Sequence, residues 1–210
     1  MTTILVIGAS KGIGLATVKA GLFAGHDMRA LARSAGNIAI EDKRLNKISA
    51  SALDADAVAK ATTGADAVVM SLGVTRLFEK VTLFSAATRV AIDAMRKSGV
   101  KRLLVVTGIG AGDSRGHGGF LYDNIFFPIL LKRAYTDKDT QEMMVRKSGL
   151  DWTIVRPGLL TNRPATGKFR ALTDIKDWGA GWISRADVAN YLIGEIVSPK
   201  HIGKTPELID

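Results

Sequence analysis

Apolar residues along this chain fall into short runs separated by longer stretches of helical periodicity. The runs lie at Thr3 to Ile7, Met28 to Ala32, Lys47 to Ala50, Ala67 to Ser71, Arg102 to Thr107 and Trp152 to Arg156, and they read as strands. Between most of them the apolar positions recur every three or four residues. That spacing predicts helices over Gly12 to Ala24, Ala55 to Thr62, Leu83 to Ser98 and about Ile129 to Ser148, with a further one over Arg185 to Ser198. In the first helix the stripe is Leu15, Val18, Leu22 and Phe23. Two helices reach a glycine after basic residues, at Arg96-Lys97-Ser98-Gly99 and Arg146-Lys147-Ser148-Gly149, which is how helices commonly end. Strands alternating with helices imply right-handed βαβ units, hence an α/β doubly wound parallel sheet with its ligand at the carboxyl ends of the strands.

The alternation fails from about Thr161. Pro164, Gly167, Gly179 and Gly181 punctuate a segment that carries Arg163, Lys168, Arg170, Trp178 and Trp182. We expect 161–182 to form a substrate-side loop of one domain spanning 1–210, since late irregular excursions in open sheets cover the crevice. The apolar stretch from Phe120 to Leu131 has three readings: core, a pocket wall or lid, or a partner contact. Gly110, Gly112, Gly116, Gly118 and Gly119 before it suggest a flexible loop that orders on ligand binding.

The first strand runs straight into Gly8-Ala9-Ser10-Lys11-Gly12-Ile13-Gly14 and then the first helix. A glycine turn between strand and helix aims backbone N–H groups at a phosphate, so this segment is expected to hold a dinucleotide. Gly8 would allow the sharp turn, Gly12 the close approach of a pyrophosphate, and Gly14 tight packing of helix on sheet. Arg33 follows the second strand, with no acid from 32 to 35. An acid there would bond an NAD ribose and repel a phosphate, whereas a guanidinium fork suits the 2′-phosphate, so NADP(H) is expected over NAD(H).

Composition narrows the partners. The chain has 210 residues, 47% of them hydrophobic, enough for a substantial core. It has no cysteine, and His26, His117 and His201 lack metal-ligand spacing, so no metal site is expected. The net charge of +9 is dispersed, with no basic run interleaved with aromatics; it fits steering of an anionic cofactor better than nucleic-acid binding. No apolar run is long enough to cross a bilayer, and the chain opens on a strand rather than a signal peptide, so a cytoplasmic protein is expected.

Several segments together resemble the short-chain dehydrogenase/reductase superfamily, and more closely its atypical NAD(P)H-binding branch of flavin and biliverdin reductases and NmrA-like proteins. They are Gly8 to Gly14, Leu31-Ala32-Arg33-Ser34, Ser71-Leu72-Gly73, Lys101 to Thr107, Ser148 to Gly158 with its run Trp152-Thr153-Ile154-Val155-Arg156-Pro157-Gly158, and Ile183 to Ala189. The resemblance covers nearly the whole chain and implies a Rossmann-type fold. It implies that Gly8, Ser10, Lys11, Gly12, Ile13 and Gly14 surround the pyrophosphate, and that Arg33 and Ser34 hold the 2′-phosphate. Leu53 and Asp54 would lie beside the adenine, and Ser71, Leu72 and Gly73 near the nicotinamide ribose. Thr107 and Gly108 would sit beneath the reacting ring, with Pro157, Gly158 and Leu159 against its amide.

One departure from that superfamily bears on chemistry. Its standard enzymes use a Tyr with a Lys four residues later, the ammonium lowering the phenol's pKa for proton transfer. Here Tyr122, Tyr135 and Tyr191 are followed at that spacing by Phe126, Asp139 and Glu195. Tyr135 and Lys138, three apart on one helical face, are candidates for proton donation or for binding an anionic group, with a solvated surface pair as the other reading. Acceptors that delocalise their product charge need no protein acid at all. The expectation is therefore an NADPH-dependent reductase of a small conjugated acceptor, flavin or quinone-like, working as a monomer or homodimer. The alternatives are an NmrA-like redox sensor without turnover and a nucleotide-sugar epimerase.

Overall fold

The computed structural model describes residues 1–73, 82–109, 132–179 and 181–210, with the backbone alone at 132–135. Five parallel strands come from the sequence's strongest apolar runs: β1 (Thr3–Ile7), β2 (Asp27–Ala32), β3 (Leu45–Ser49), β4 (Ala67–Met70) and β5 (Arg102–Val106). With β6 (Asp151–Pro157) they stand in the order β3-β2-β1-β4-β5-β6, the doubly wound arrangement whose order reverses between β1 and β4. Period-2 alternation splits β1 between the two faces. Ile4 and Val6 pack with α1 (Gly12–Phe23) and α5 (Arg185–Val197), while Leu5 and Ile7 pack with α2 (Ala55–Thr62), α3 (Leu83–Ser98) and α4 (Lys132–Arg146). All four side chains are at most 1% exposed, each stabilising the fold by roughly 1.5–3 kcal/mol.

The structure corrects several expectations. Phe23 is 96% exposed, because the buried face of α1 runs through Ile13, Val18 and Leu22 and the next residue turns about 100° away from it. The third strand starts at Leu45, two residues before its apolar run, since backbone pairing with β2 begins at Met28 and Leu45. The segment 161–182 is not simply a loop. It carries the end of β7 (Leu159–Thr161), then β8 (Arg170–Leu172), a 3-10 turn at Ile175–Asp177 and the start of β9 (Trp182–Ser184). β7 and β9 make a separate two-stranded parallel sheet, and β8 runs antiparallel to β10 (Glu207–Ile209), a strand too short for periodicity to show, which joins the main sheet beside β6. Trp178 anchors the excursion by donating from its ring N–H to the Leu172 carbonyl at 2.9 Å. The expectations placed on Phe120 to Leu131 and on the preceding glycines lie outside the described residues.

Candidate active site

A cleft of about 1070 Å3 opens at the carboxyl ends of β1, β2, β4, β5 and β6. Its first wall is the glycine turn. Gly8 has φ +93°, and a Cβ there would sit 2.3 Å from the Ser71 carbonyl oxygen; a Cβ on Gly14 would sit 2.2 Å from the Gly8 carbonyl oxygen. Only glycines let the β1 turn, the end of β4 and the start of α1 meet so closely. A Cβ on Gly12 would meet nothing within 4 Å, so the turn is open on the side that faces the cleft.

The start of α1 differs from the other described helix starts. Asp54 accepts from Ala57 N–H at 3.0 Å and caps α2. Asp137, 53 residues further on, accepts from Phe84 N–H at 2.8 Å and caps α3, and Ser184 caps α5 by accepting from Asp187 N–H at 2.9 Å. The residue before α1, Lys11, offers no capping bond, and the first turn holds no acid. The first helical bond runs from Leu15 N–H to Lys11 C=O, which leaves the N–H groups of Gly12, Ile13 and Gly14 without intrahelical acceptors. Uncapped N–H groups, a positive helix end and a turn without side-chain bulk fit a pyrophosphate.

Around this turn the structure gathers residues that the sequence scatters. Ser10, Lys11, Gly12, Ile13, Arg33, Ser34, Leu53, Ser71, Leu72, Gly73, Thr107, Lys138 and Pro157 line the cleft together with Gly8. Gly14 and Gly108 do not line it; the first supports the turn from behind, and the second takes φ +147° after β5. Asp54 is turned into its capping bond rather than toward the cleft. Gly158 is packed where a Cβ would be 2.5 Å from the Gly181 carbonyl oxygen, and Leu159 is 43% exposed, so Leu160 rather than either lines the cleft. Tyr135 lies on α4, with its side chain outside the described residues.

The far end of the cleft is a network of side chains. Lys138 donates from Nζ to the Thr107 carbonyl at the end of β5, and its ammonium lies 5.2 Å from the centre of the Phe84 ring. Thr107 donates its hydroxyl to Glu142 Oε1 at 2.8 Å. Glu142 also accepts two bonds from Arg156, from Nε at 3.1 Å and from a terminal nitrogen at 2.6 Å. Glu142 is 2% exposed and Arg156 is fully buried, its guanidinium 5.0 Å from the centre of the Trp178 ring. Burial pushes the Lys138 ammonium down to about 8, with the Glu142 carboxylate opposing that shift. A lysine so placed changes charge near neutrality and can give or take a proton.

Sequence reasoning passed over Glu142 and Arg156 as functional residues and named Trp178 only within the substrate-side segment. Two signs were there: Glu142 lies four residues after Lys138, on the same helical face, and Arg156 interrupts a buried apolar strand, where an unpaired charge is prohibitive. It also passed over Lys19, Leu160, Asn162 and Arg185, which line the cleft. Among the described residues no cluster of His, Asp or Glu could hold a metal, and no helix is long and apolar enough to cross a membrane.

Comparison with known proteins agrees with this geometry. The profile of a family described as NAD(P)H-binding matches residues 8–199. The chain is 31% identical over 142 residues to the uncharacterized sugar epimerase YhfK of Bacillus subtilis (strain 168), covering 66% of this chain and 60% of that protein. The chain spans less than two thirds of the length of the curated relatives it matches. Among solved structures, the anaerobillin reductase ChuY of Escherichia coli O157:H7 is 27% identical with a TM-score of 0.82, covering 99% of this chain and 97% of its own. The oxidoreductase ylbE of Lactococcus lactis shares the fold at 21% identity and a TM-score of 0.83, with 99% and 90% covered. With a phosphate-ready turn, a strand order that reverses beside it and a family profile spanning nearly all its length, the chain belongs to the NAD(P)H-binding family.

Proposed function

We propose that this protein is an NADPH-dependent reductase that passes hydride to a small conjugated acceptor, of the flavin or quinone kind. The observation that carries the reading is the placement of Arg33 and Lys138 in one cleft, with no acid among its described lining residues, on either side of the uncapped glycine turn. In it, Ser10 to Ile13 hold the pyrophosphate, Arg33 and Ser34 hold the 2′-phosphate, and Leu53 covers the adenine. Ser71 to Gly73, Thr107 and Pro157 border the nicotinamide half. Bound NADPH supplies a hydride, two electrons and one proton.

The chain's own residues do the rest. Leu83, Val106, Pro157 and Leu160 give the cleft apolar surface that excludes water from a flat acceptor. Lys138 supplies the second proton, or the positive charge that stabilises the reduced acceptor before water protonates it. Thr107 fixes the ammonium through its carbonyl and is itself fixed through its hydroxyl by Glu142. Residues 161–182 form the substrate side of the cleft, where Asn162 and Arg163 line it.

Mixing protein and NADPH with FMN, riboflavin, quinones and aldehydes while following nicotinamide absorbance tests the proposal. The expected result is oxidation that depends on flavin or quinone and loses about a hundredfold in kcat/KM in Lys138→Met, within the range that removal of a general acid costs. NADPH binding without oxidation by any acceptor would overturn it and leave a cofactor-binding sensor as the reading.

A further inference from the structure

We infer that the flank of the cleft between α1 and α5 is a second anion subsite, which holds a phosphate or carboxylate carried by the hydride acceptor. The acceptor is thereby defined as a conjugated ring with an anionic tail, an assignment that rests on the reductase reading. Among the described residues six cations line the cleft, Lys11, Lys19, Arg33, Lys138, Arg163 and Arg185, and none of the described lining residues is Asp or Glu. The cofactor's phosphates account for Arg33 and Lys11, beside the 2′-phosphate position and in the glycine turn. Lys138 stands beyond β5, at the reacting end.

Lys19, Arg163 and Arg185 remain, and they share a wall. On α1 the cleft-lining residues Gly12, Leu15, Ala16 and Lys19 repeat at three- and four-residue spacing, one stripe of the helix. Five to seven residues at 1.5 Å rise put the Lys19 backbone about 8 to 10 Å along the axis from the N–H groups that suit a pyrophosphate. Across from this stripe stand Arg185 and Ala186, at the start of α5, and Asn162 and Arg163, just after β7. Arg185 donates to Asn162 Oδ1 at 2.8 Å, a neutral partner that orients the guanidinium and leaves its charge uncompensated. Among the described residues none of these three cations pairs with a carboxylate. Like charges collected along one wall of a cleft raise the local potential for an anion. Leu15, Ala16, Leu160 and Ala186 give the same wall an apolar strip on which a ring can lie.

FMN and riboflavin test this, because they share one ring system and differ in a phosphate. Binding of each to NADP+-saturated protein is followed by flavin fluorescence, in the parent and in Lys19→Gln/Arg163→Gln, both exposed positions. The expected result is FMN binding about tenfold or more tighter than riboflavin, as charge-assisted bonds provide, an advantage lost in the double variant with NADP+ affinity unchanged. Inorganic phosphate should displace FMN and spare riboflavin; acetate doing so better would make the tail a carboxylate. Equal binding of the two flavins in the parent would overturn the subsite. So would a tenfold loss of NADP+ affinity in the double variant, which would assign these cations to the cofactor. An FMN advantage with no NADPH oxidation would refute the reductase reading and leave the anion site standing, whereas equal turnover of both flavins would do the reverse.

Discussion

The two ends of the cleft are built in opposite ways. The glycine-turn end is made of backbone, from one stretch of chain between β1 and α1, and its polarity comes from N–H groups that no cap satisfies. The Lys138 end is made of side chains brought together from α4, β5 and β6, and its polarity is turned inward: Glu142 accepts from both Thr107 and Arg156. An open end suits a ligand that brings its own charge, and a closed end suits a group that must keep one position while its own proton moves. The contrast predicts that damage at the two ends will appear in different measurements, in affinity at the first and in stability and pH dependence at the second.

The largest effect is expected at Glu142. Truncation to Ala leaves the fully buried Arg156 without the carboxylate that neutralises it, and breaking such a pair from one side costs about 3–5 kcal/mol. Urea unfolding of Glu142→Ala should show a loss of that size, with Glu142→Gln losing less because it still accepts from Thr107 and Arg156. The double replacement Glu142→Leu/Arg156→Met should recover part of the loss, because both members of the pair are removed together while the buried Glu207 loses the nearby Arg156 charge. A Glu142→Ala protein as stable as the parent would show that the network is ornamental, and the contrast between the ends would collapse.

How much of this was legible follows the same division. The glycine turn and the alternation of strands with helices could be read because each is local: a turn needs its glycines in one short segment, and an apolar run shows its own burial. The helix caps show the boundary. Ser184 caps α5 from the adjoining position, as a sequence pattern can suggest, but the cap of α3 comes from Asp137 on another helix, which no window along the chain contains. Likewise Glu142 joins Thr107 from 35 residues away, and the sequence could flag Arg156 as a buried charge without naming its partner. The strands β8 and β10 escaped for a related reason, since three residues carry no period and their pairing is decided by neighbours far along the chain.

Next in size is Arg33, at the glycine-turn end. Loss of one charge-assisted contact of roughly 1.5–3 kcal/mol should raise the dissociation constant of NADPH about tenfold to a hundredfold in Arg33→Ala and leave that of NADH nearly unchanged. Unfolding stability should barely move, because the side chain is exposed. Equal weakening of both cofactors would place Arg33 on a part they share and remove the basis for preferring NADPH.

The smallest effect, and the sharpest on the closed end, is in pH. Burial lowers the Lys138 pKa to about 8 from an ordinary value of 10.5 in the unfolded chain. Between these two values the unfolded state holds the extra proton, so stability contributed by this group should rise as pH climbs from about 8 to 10.5 and be flat below. Activity should move the other way if Lys138 acts as its ammonium, with kcat/KM falling tenfold per pH unit above about 8. Glu142→Gln removes the neighbouring negative charge that favours the ammonium, so both the stability rise and the activity fall should begin at lower pH. A merely structural Glu142 would lower the whole activity curve without shifting its midpoint, and that outcome would separate the network's effect on the proton from its effect on the fold.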